Sequence, residues 1–335
     1  MKLKISISIG QICLKYQVCF VGNAIVDIIS KITDKKLDEL KIPKGSMQLV
    51  DEKSSNKILD HIKNQIIISG GSAANTAVGF SSLGGSCSFM GQTGDDDFGM
   101  LFSKDLNSSG VFYENKIAQV SGKTSKSIVL VTPDAERSMN TYLGASTQFN
   151  IDCINEDLII NSKIIYIEGY LFDQSDAKKA IYYCCKLAKA HNCKVALSLS
   201  DSFCVDRHRE EFSDLISEFV DIIFANEAEI KSLYQLNLQE SLKKIKENVE
   251  VGAITLGSKG SIVFQNQIEN LVTPIKVNDL VDTTGAGDIF ASGFLFGLTN
   301  KYSIEECGKL GSKVAADIIK YTGARPRVPL KTFLN

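Results

Sequence analysis

Between residues 163 and 266 the chain alternates between short apolar runs and amphipathic stretches, and this alternation narrows its fold more than any other feature. The runs KIIYIEGY (163–170), KVALSLS (194–200), VDIIFAN (220–226), GAITLGS (252–258) and GSIVFQN (260–266) have strand length, and helical patterns over 175–192, 207–219 and 227–248 separate the first four. Such alternation predicts an α/β fold in three layers, a mostly parallel central sheet with helices on both faces. Ligands of open sheets of this kind bind beyond the carboxyl ends of the strands. Residues 225–226, the loop 255–260 and the loop before Asp282 are therefore expected at one crevice.

The first half reads differently. After an apolar run at 17–29, the segment KITDKKLDELKIPKGSMQLVDEK is polar, and 124–143 alternates around TPDAER like a hairpin, with SIVLVT (127–132) as its first arm. The excursions 31–50 and 112–143 suit a small β lid, which would exclude water over a substrate; an ordinary edge hairpin is the competing reading. At 335 residues the chain has room for a large core. Its 37 basic and 39 acidic residues nearly cancel, with no long basic run, which argues against nucleic acid as a partner. No stretch approaches the ~18 apolar residues of a membrane span. Nine scattered cysteines without zinc-site spacing read as reduced thiols in a cytoplasm, and three histidines do not make a metal cluster. Residues 1–17, interrupted by Ser6, Ser8, Gln11 and Lys15, read as an extension or an extra strand rather than a signal peptide.

Chemistry concentrates in DTTGAGDIFASGFLFGL (282–298). Gly285 and Gly287 allow other groups close to their amides, and the apolar run after Asp288 predicts a buried helix. A helix start offers unpaired N–H groups and the positive end of its dipole, a site for phosphate. A carboxylate at 288 would repel a merely bound phosphate. It is intelligible as a base that takes a proton from an attacking hydroxyl. The alternative is that Asp282 or Thr284 only caps the helix and the glycines turn the chain into it.

A second glycine-rich stretch, SGGSAANTAVGFSSLGG (69–85), again sets Gly70 and Gly71 before a small-residue helix, with Ser72 and Asn75 at its start. Together with GNAIVD (22–27), GQTGDDDFG (91–99), NEAE (226–229), TLGSKG (255–260) and DTTGAGD, the order and spacing resemble the ribokinase-like, or PfkB, family of carbohydrate and nucleoside kinases. The resemblance covers about residues 18–330. Within the family it is closest to adenosine kinases and their bacterial sugar-kinase relatives, through IIFANEAE, SLSDSFCVDRHR, EGYLF and PDAERSMNTYLGAS.

The resemblance implies a role for each matching position. Asp288 would be the general base, with Gly285, Ala286 and Gly287 as the anion hole for the transferring phosphoryl group and Arg137, on the lid, as a cation reaching the phosphates. Asn226 and Glu229 would organise Mg²⁺ through water, and Thr255, Gly257, Gly260 and Thr284 would face ATP. Asp27 would grip sugar hydroxyls, assisted by Asn23, Gly70, Gly71 and Asn75. Asp282 and Thr284 match positions that hold a monovalent cation, potassium, in some relatives. Tyr170, Leu171, Phe172, Phe203 and Met47 are candidate walls for a nucleobase, while Glu168 is expected near that base. The implied reaction moves the ATP γ-phosphoryl group to the 5′-hydroxyl of a ribonucleoside, adenosine first, with a sugar acceptor as the alternative and a non-catalytic nucleotide sensor as a second one. A monomer and a homodimer paired through the lids are both compatible with the sequence.

Overall fold

The computed structural model describes residues 14–115, 121–134 and 136–334, so the expected extension 1–17 lies outside them except for its last four residues. The apolar run 17–29 is not one strand. It breaks at residues 22–24 into β1 (Tyr16–Val21) and β2 (Ile25–Lys31), which enter different sheets. The chain continues through α1 (Asp34–Glu39), β3 (Met47–Leu49), α2 (Glu52–Leu59), β4 (Ile66–Gly70), α3 (Ser72–Ser82), β5 (Cys87–Met90), α4 (Asp97–Ser108), β6 (Val111–Tyr113), β7 (Ser125–Val131) and β8 (Arg137–Tyr142). The second half runs α5 (Glu156–Ile160), β9 (Ser162–Glu168), α6 (Ser175–Ala190), β10 (Lys194–Ser198), α7 (Ser202–Arg207), α8 (Arg209–Glu218), β11 (Ile222–Asn226), α9 (Glu227–Tyr234), α10 (Leu238–Ile245) and β12 (Val251–Thr255). It closes with β13 (Ser261–Gln265), β14 (Ile268–Val272), α11 (Ala286–Thr299) and α12 (Ile304–Ile318).

A nine-stranded sheet has the order β14-β13-β12-β11-β10-β9-β1-β5-β6. It is parallel from β12 to β6 and antiparallel only at the β12-β13-β14 edge. Helices cover both faces, each over its own apolar cluster. α11 is buried along nearly its whole length, as a helix apolar all round must be. It packs against α3 and α12 at small residues: a Cβ on Gly293 would lie 2.8 Å from Gly311 Cα, and one on Gly79 would lie 2.8 Å from Ile289 Cδ1.

The second sheet has the order β3-β8-β7-β2-β4. The expected lid segments, 31–50 and 112–143, overlap it only in part. The hairpin β7-β8 is there, but β2 and β4 form two more of its strands, 34–39 is helical, and β6 joins the large sheet. Register sets what this sheet presents. Asp27 pairs with Ser127, Ser127 with Thr141, and Thr141 with Leu49, while Met139 pairs with Met47. Because side chains alternate between faces, Asp27, Arg137, Met47 and Leu49 share one face. The other face carries Val26, Ile28, Ile128 and Leu130 into the core, where α1 and α2 supply Leu37 and Ile58.

Candidate active site

α11 begins without a side-chain cap. Its N-cap is Gly285, in the left-handed region at φ 74°, where a Cβ would lie 2.9 Å from Ala324 Cα. A Cβ on Gly287 would meet nothing within 4 Å, so the backbone there faces open space. The first-turn amides thus look into a cavity of about 560 Å³ lined by Thr255, Gly257, Gly260, Pro274, Ile275, Leu280, Ala286, Gly287, Ala315 and Ile319 among others. A smaller cavity of about 90 Å³ adjoins it, sharing Thr255, Gly287 and Phe290, and takes in Asn226, Glu229, Ser72, Ser200 and Asp288. The three expected loops do meet at one crevice.

Asp288 is held in place without being consumed. Its Oδ1 accepts from Ser72 Oγ at 2.7 Å and its Oδ2 from Asn75 Nδ2 at 3.0 Å, both from the first turn of α3. Burial raises its proton affinity and these two donors oppose the rise. A carboxyl so placed is half-buried, faces a cavity and is suited to accepting a proton.

Asp27 stands on β2 of the smaller sheet. Its carboxylate lies over Gly70, where a Cβ would come within 2.5 Å of Asp27 Cγ, and it makes no hydrogen bond among the described residues. Burial pushes it up to about 6, against the charges of Arg325 and Arg137. Gly71, at φ 92°, lets the chain pass against the Asn23 carbonyl before α3 begins. Asp27 thus packs against Gly70, Gly71 against Asn23, and Asn75 donates to Asp288, so the expected acceptor residues are neighbours in pairs around the start of α3.

On the other side, Asn226 and Glu229 form a reciprocal capping box at the start of α9: Asn226 Oδ1 accepts from Glu229 N at 2.9 Å, and Glu229 Oε2 accepts from Asn226 N at 2.9 Å. Glu229 is buried and pushed up to about 7 by that burial, with Asp201 and Asp288 adding to it. A site where neighbouring carboxylates raise the proton affinity of Glu229 suits a divalent cation, which would relieve their repulsion. The capping box leaves Asn226 and Glu229 better placed to hold that ion's water than the ion itself.

Two expectations are corrected in part by the geometry. Asp282 does not offer potassium a free carboxylate: it is buried and accepts from Gly323 N at 2.7 Å, from Thr284 N at 3.0 Å and from the Arg137 guanidinium, which already neutralises it. Arg137 also donates to Thr284 Oγ1 at 2.8 Å, so it ties the lid to the 282–288 loop. Glu168 does not present a free carboxylate to a base. It is buried between sheet and helix, where it accepts from Asn23 N at 3.2 Å, Asn23 Nδ2 at 2.9 Å and Ala73 N at 2.9 Å and closes the corner at residues 22–24.

Among the candidate walls for a nucleobase, Leu171 and Phe172 are core residues, and Met47 is exposed on the Asp27 face of the smaller sheet. Tyr170 is fixed by Ser200, whose Oγ accepts from Tyr170 N at 3.2 Å and which itself sits at φ 70°. Phe203 stands 74% exposed in the first turn of α7, three residues beyond Ser200. Residues 274–280 and 312–319 of the large cavity escaped sequence reasoning, as did Arg325. The small-residue steps Gly308, Gly311, Ser312, Ala315 and Ala316 on α12 were the available signal.

Comparison with known proteins identifies the family. A match to the family described as pfkB family carbohydrate kinase spans residues 46–331. The solved structure of adenosine kinase from Sinorhizobium meliloti superposes with a TM-score of 0.88 at 41% identity, covering 96% of this chain and 98% of that one. Adenosine kinase of Dictyostelium discoideum is 28% identical over 333 residues, 90% of this chain and 94% of its own. The 5-dehydro-2-deoxygluconokinase of Geobacillus kaustophilus is 26% identical over 272 residues, 78% and 81% of the two chains. No described helix is long and apolar enough to cross a membrane.

Proposed function

This chain belongs to the pfkB family of carbohydrate kinases and is a phosphotransferase acting on an alcohol; on that premise we propose that it phosphorylates the 5′-hydroxyl of adenosine at the expense of ATP. One observation carries the chemistry: a cavity-facing carboxylate, Asp288, stands in the first turn of a helix whose N-terminus has no side-chain cap. The alcohol oxygen attacks the γ-phosphorus as its proton passes to Asp288, and the bond to the leaving diphosphate breaks. The amides at 285–287 receive the negative charge that develops, and the protein's remaining work is positioning. Bound Mg²⁺ would add positive charge beside the phosphates, held through water by Asn226 and Glu229.

Support for a nucleoside acceptor comes from the similarity to the Sinorhizobium enzyme over almost the whole chain and from Phe203, an exposed ring three residues beyond the cavity-lining Ser200. Asp27, unpaired and facing the site, suits a vicinal diol, whose two hydroxyls a single carboxylate can accept. The similarity to 5-dehydro-2-deoxygluconokinase keeps a sugar acid or sugar as the second reading.

Coupled ADP release with adenosine, guanosine, inosine, ribose and 5-dehydro-2-deoxygluconate tests the choice. Adenosine is expected to give the highest kcat/KM, and a sugar outperforming every nucleoside overturns the assignment. In the same assay Asp288→Asn is expected to lower kcat by about 10²–10⁴-fold, the usual worth of a general base, with ATP affinity preserved. A variant with near-normal turnover removes Asp288 from the mechanism.

A further inference from the structure

Arg325 lies far from every motif in the sequence, in the C-terminal segment TGARP, yet its guanidinium reaches the centre of the acceptor side. Nε donates to the Ser69 carbonyl at 3.0 Å and Nη2 to the same carbonyl at 2.8 Å and to Ser69 Oγ at 2.6 Å. Nη1 donates to the Ala74 carbonyl at 3.1 Å. Ser69 is the penultimate residue of β4, and Ala74 lies in the first turn of α3. Between them is the Gly70-Gly71 corner, which carries Asp27 on one side and leads to Ser72 and Asn75 on the other.

β4 is an edge strand of the lid sheet, and its outward backbone groups would otherwise be open. Arg325 takes the Ser69 carbonyl, and Asp105, on α4, takes the Ser69 N–H at 3.2 Å and the Ser69 hydroxyl. One residue at the end of the lid is thus gripped by a cation from the C-terminal segment and an anion from the body. A planar fork with several fixed donors is the group that can bridge two carbonyls at once, a task for which lysine is too short of directed donors.

We propose that Arg325 is a positioning residue of the acceptor site: it staples the end of β4 to the first turn of α3 across the Gly70-Gly71 corner, and its charge faces Asp27. The proposal rests on the reading of Asp27 as the group that grips the acceptor. The charged groups around Asp27 are Arg325 from the C-terminal segment, Arg137 from β8 and Asp288 from α11. Burial is the largest influence on Asp27, and of the opposing ones Arg325 is the strongest. The groups around Arg325 are Asp105, Asp27 and Asp288. Removing the cation therefore leaves Asp27 ionised only at higher pH, and a protonated Asp27 accepts hydroxyls poorly.

The test is steady-state kinetics across pH on Arg325→Met and Arg325→Lys, with the exposed neighbour Arg327→Met as control. The acceptor is whichever compound the wild type phosphorylates, so a wrong acceptor shows in the wild type and a wrong role for Arg325 only in the variants. Arg325→Met is expected to raise the acceptor KM about tenfold while the ATP KM stays within about twofold. It is also expected to move the acid limb of acceptor kcat/KM upward by about one pH unit, a tenfold further loss at the acid end. Arg325→Lys is expected to return the limb to its wild-type position with the acceptor KM still raised, because it restores charge without the fork. Arg327→Met is expected to behave as wild type. Equal losses for ATP and acceptor, or an unmoved limb in the methionine variant, overturn the proposal. Should that variant not fold, the lysine variant decides: a raised acceptor KM supports the staple and an unchanged one overturns it.

Discussion

Replacing Gly70 with alanine separates the acceptor site from the rest of the molecule more cleanly than deleting Asp27. Gly70 does not occupy the left-handed region, so alanine is conformationally allowed there. The added Cβ would sit 2.5 Å from Asp27 Cγ and 2.8 Å from Asp27 Oδ1, and the carboxylate has to retreat by about 1 Å to reach ordinary contact. A shift of that size takes two charge-assisted hydrogen bonds out of good geometry. Each contributes about 1.5–3 kcal/mol, so a loss of about 2–4 kcal/mol in acceptor recognition is expected, allowing for partial recovery. That is about 30- to 1000-fold in kcat/KM for the acceptor. The assay varies acceptor at saturating ATP, then ATP at the highest acceptor concentration reached, with Asp27→Asn as the reference. Both variants are expected to lose acceptor recognition and to leave the ATP KM within about threefold. A folded Gly70→Ala enzyme with a normal acceptor KM refutes the placement of the acceptor against Asp27.

The loop before α11 gives two further expectations. Gly285→Ala puts a Cβ into the left-handed region and against Ala324, which is expected to cost about 1–3 kcal/mol in urea unfolding and to lower kcat. Arg137→Met removes the cation beside buried Asp282. Burial works against that carboxylate's charge, but the Gly323 and Thr284 N–H groups and Arg137 hold it below the ordinary range. A depressed carboxyl stabilises the fold above its unfolded pKa and loses that contribution as pH falls through its folded value. Urea unfolding of Arg137→Met is therefore expected to show about 1–3 kcal/mol less stability near neutrality and a shallower decline toward acid pH.

How much of this was legible in the sequence depended on whether a signal was local. The alternation from residue 163 onward was, because each strand and its covering helix are neighbours in the chain. The two glycine-rich helix starts were too, and the structure sets Asp288 against Ser72 and Asn75, more than 200 residues earlier. Hydropathy gave no hint that the run 17–29 divides between two sheets, since both pieces are apolar and only Gly22 marks the corner. β4 and β5 escaped because they are short, and α12 because small residues (Gly308, Gly311, Ser312, Ala315, Ala316) stand at many of its inward positions. Glu168 looked like a ligand group because a carboxylate after a strand end usually faces solvent. Its partners are two backbone N–H groups and the Asn23 side chain, far away in the sequence, which no residue pattern reveals. Arg325 is the extreme case, with all its hydrogen-bond partners about 250 residues away.

The corner at residues 22–24 divides ownership of the chemistry. The group that would hold the alcohol, Asp27, belongs to the smaller sheet, and the group that would take its proton, Asp288, stands on α11 beside the larger one. A water molecule entering in place of the alcohol has nothing for the smaller sheet to hold, so it arrives at Asp288 unaimed. Under the proposed reading, a true acceptor differs from water in being held at Asp27 while its reacting oxygen meets Asp288.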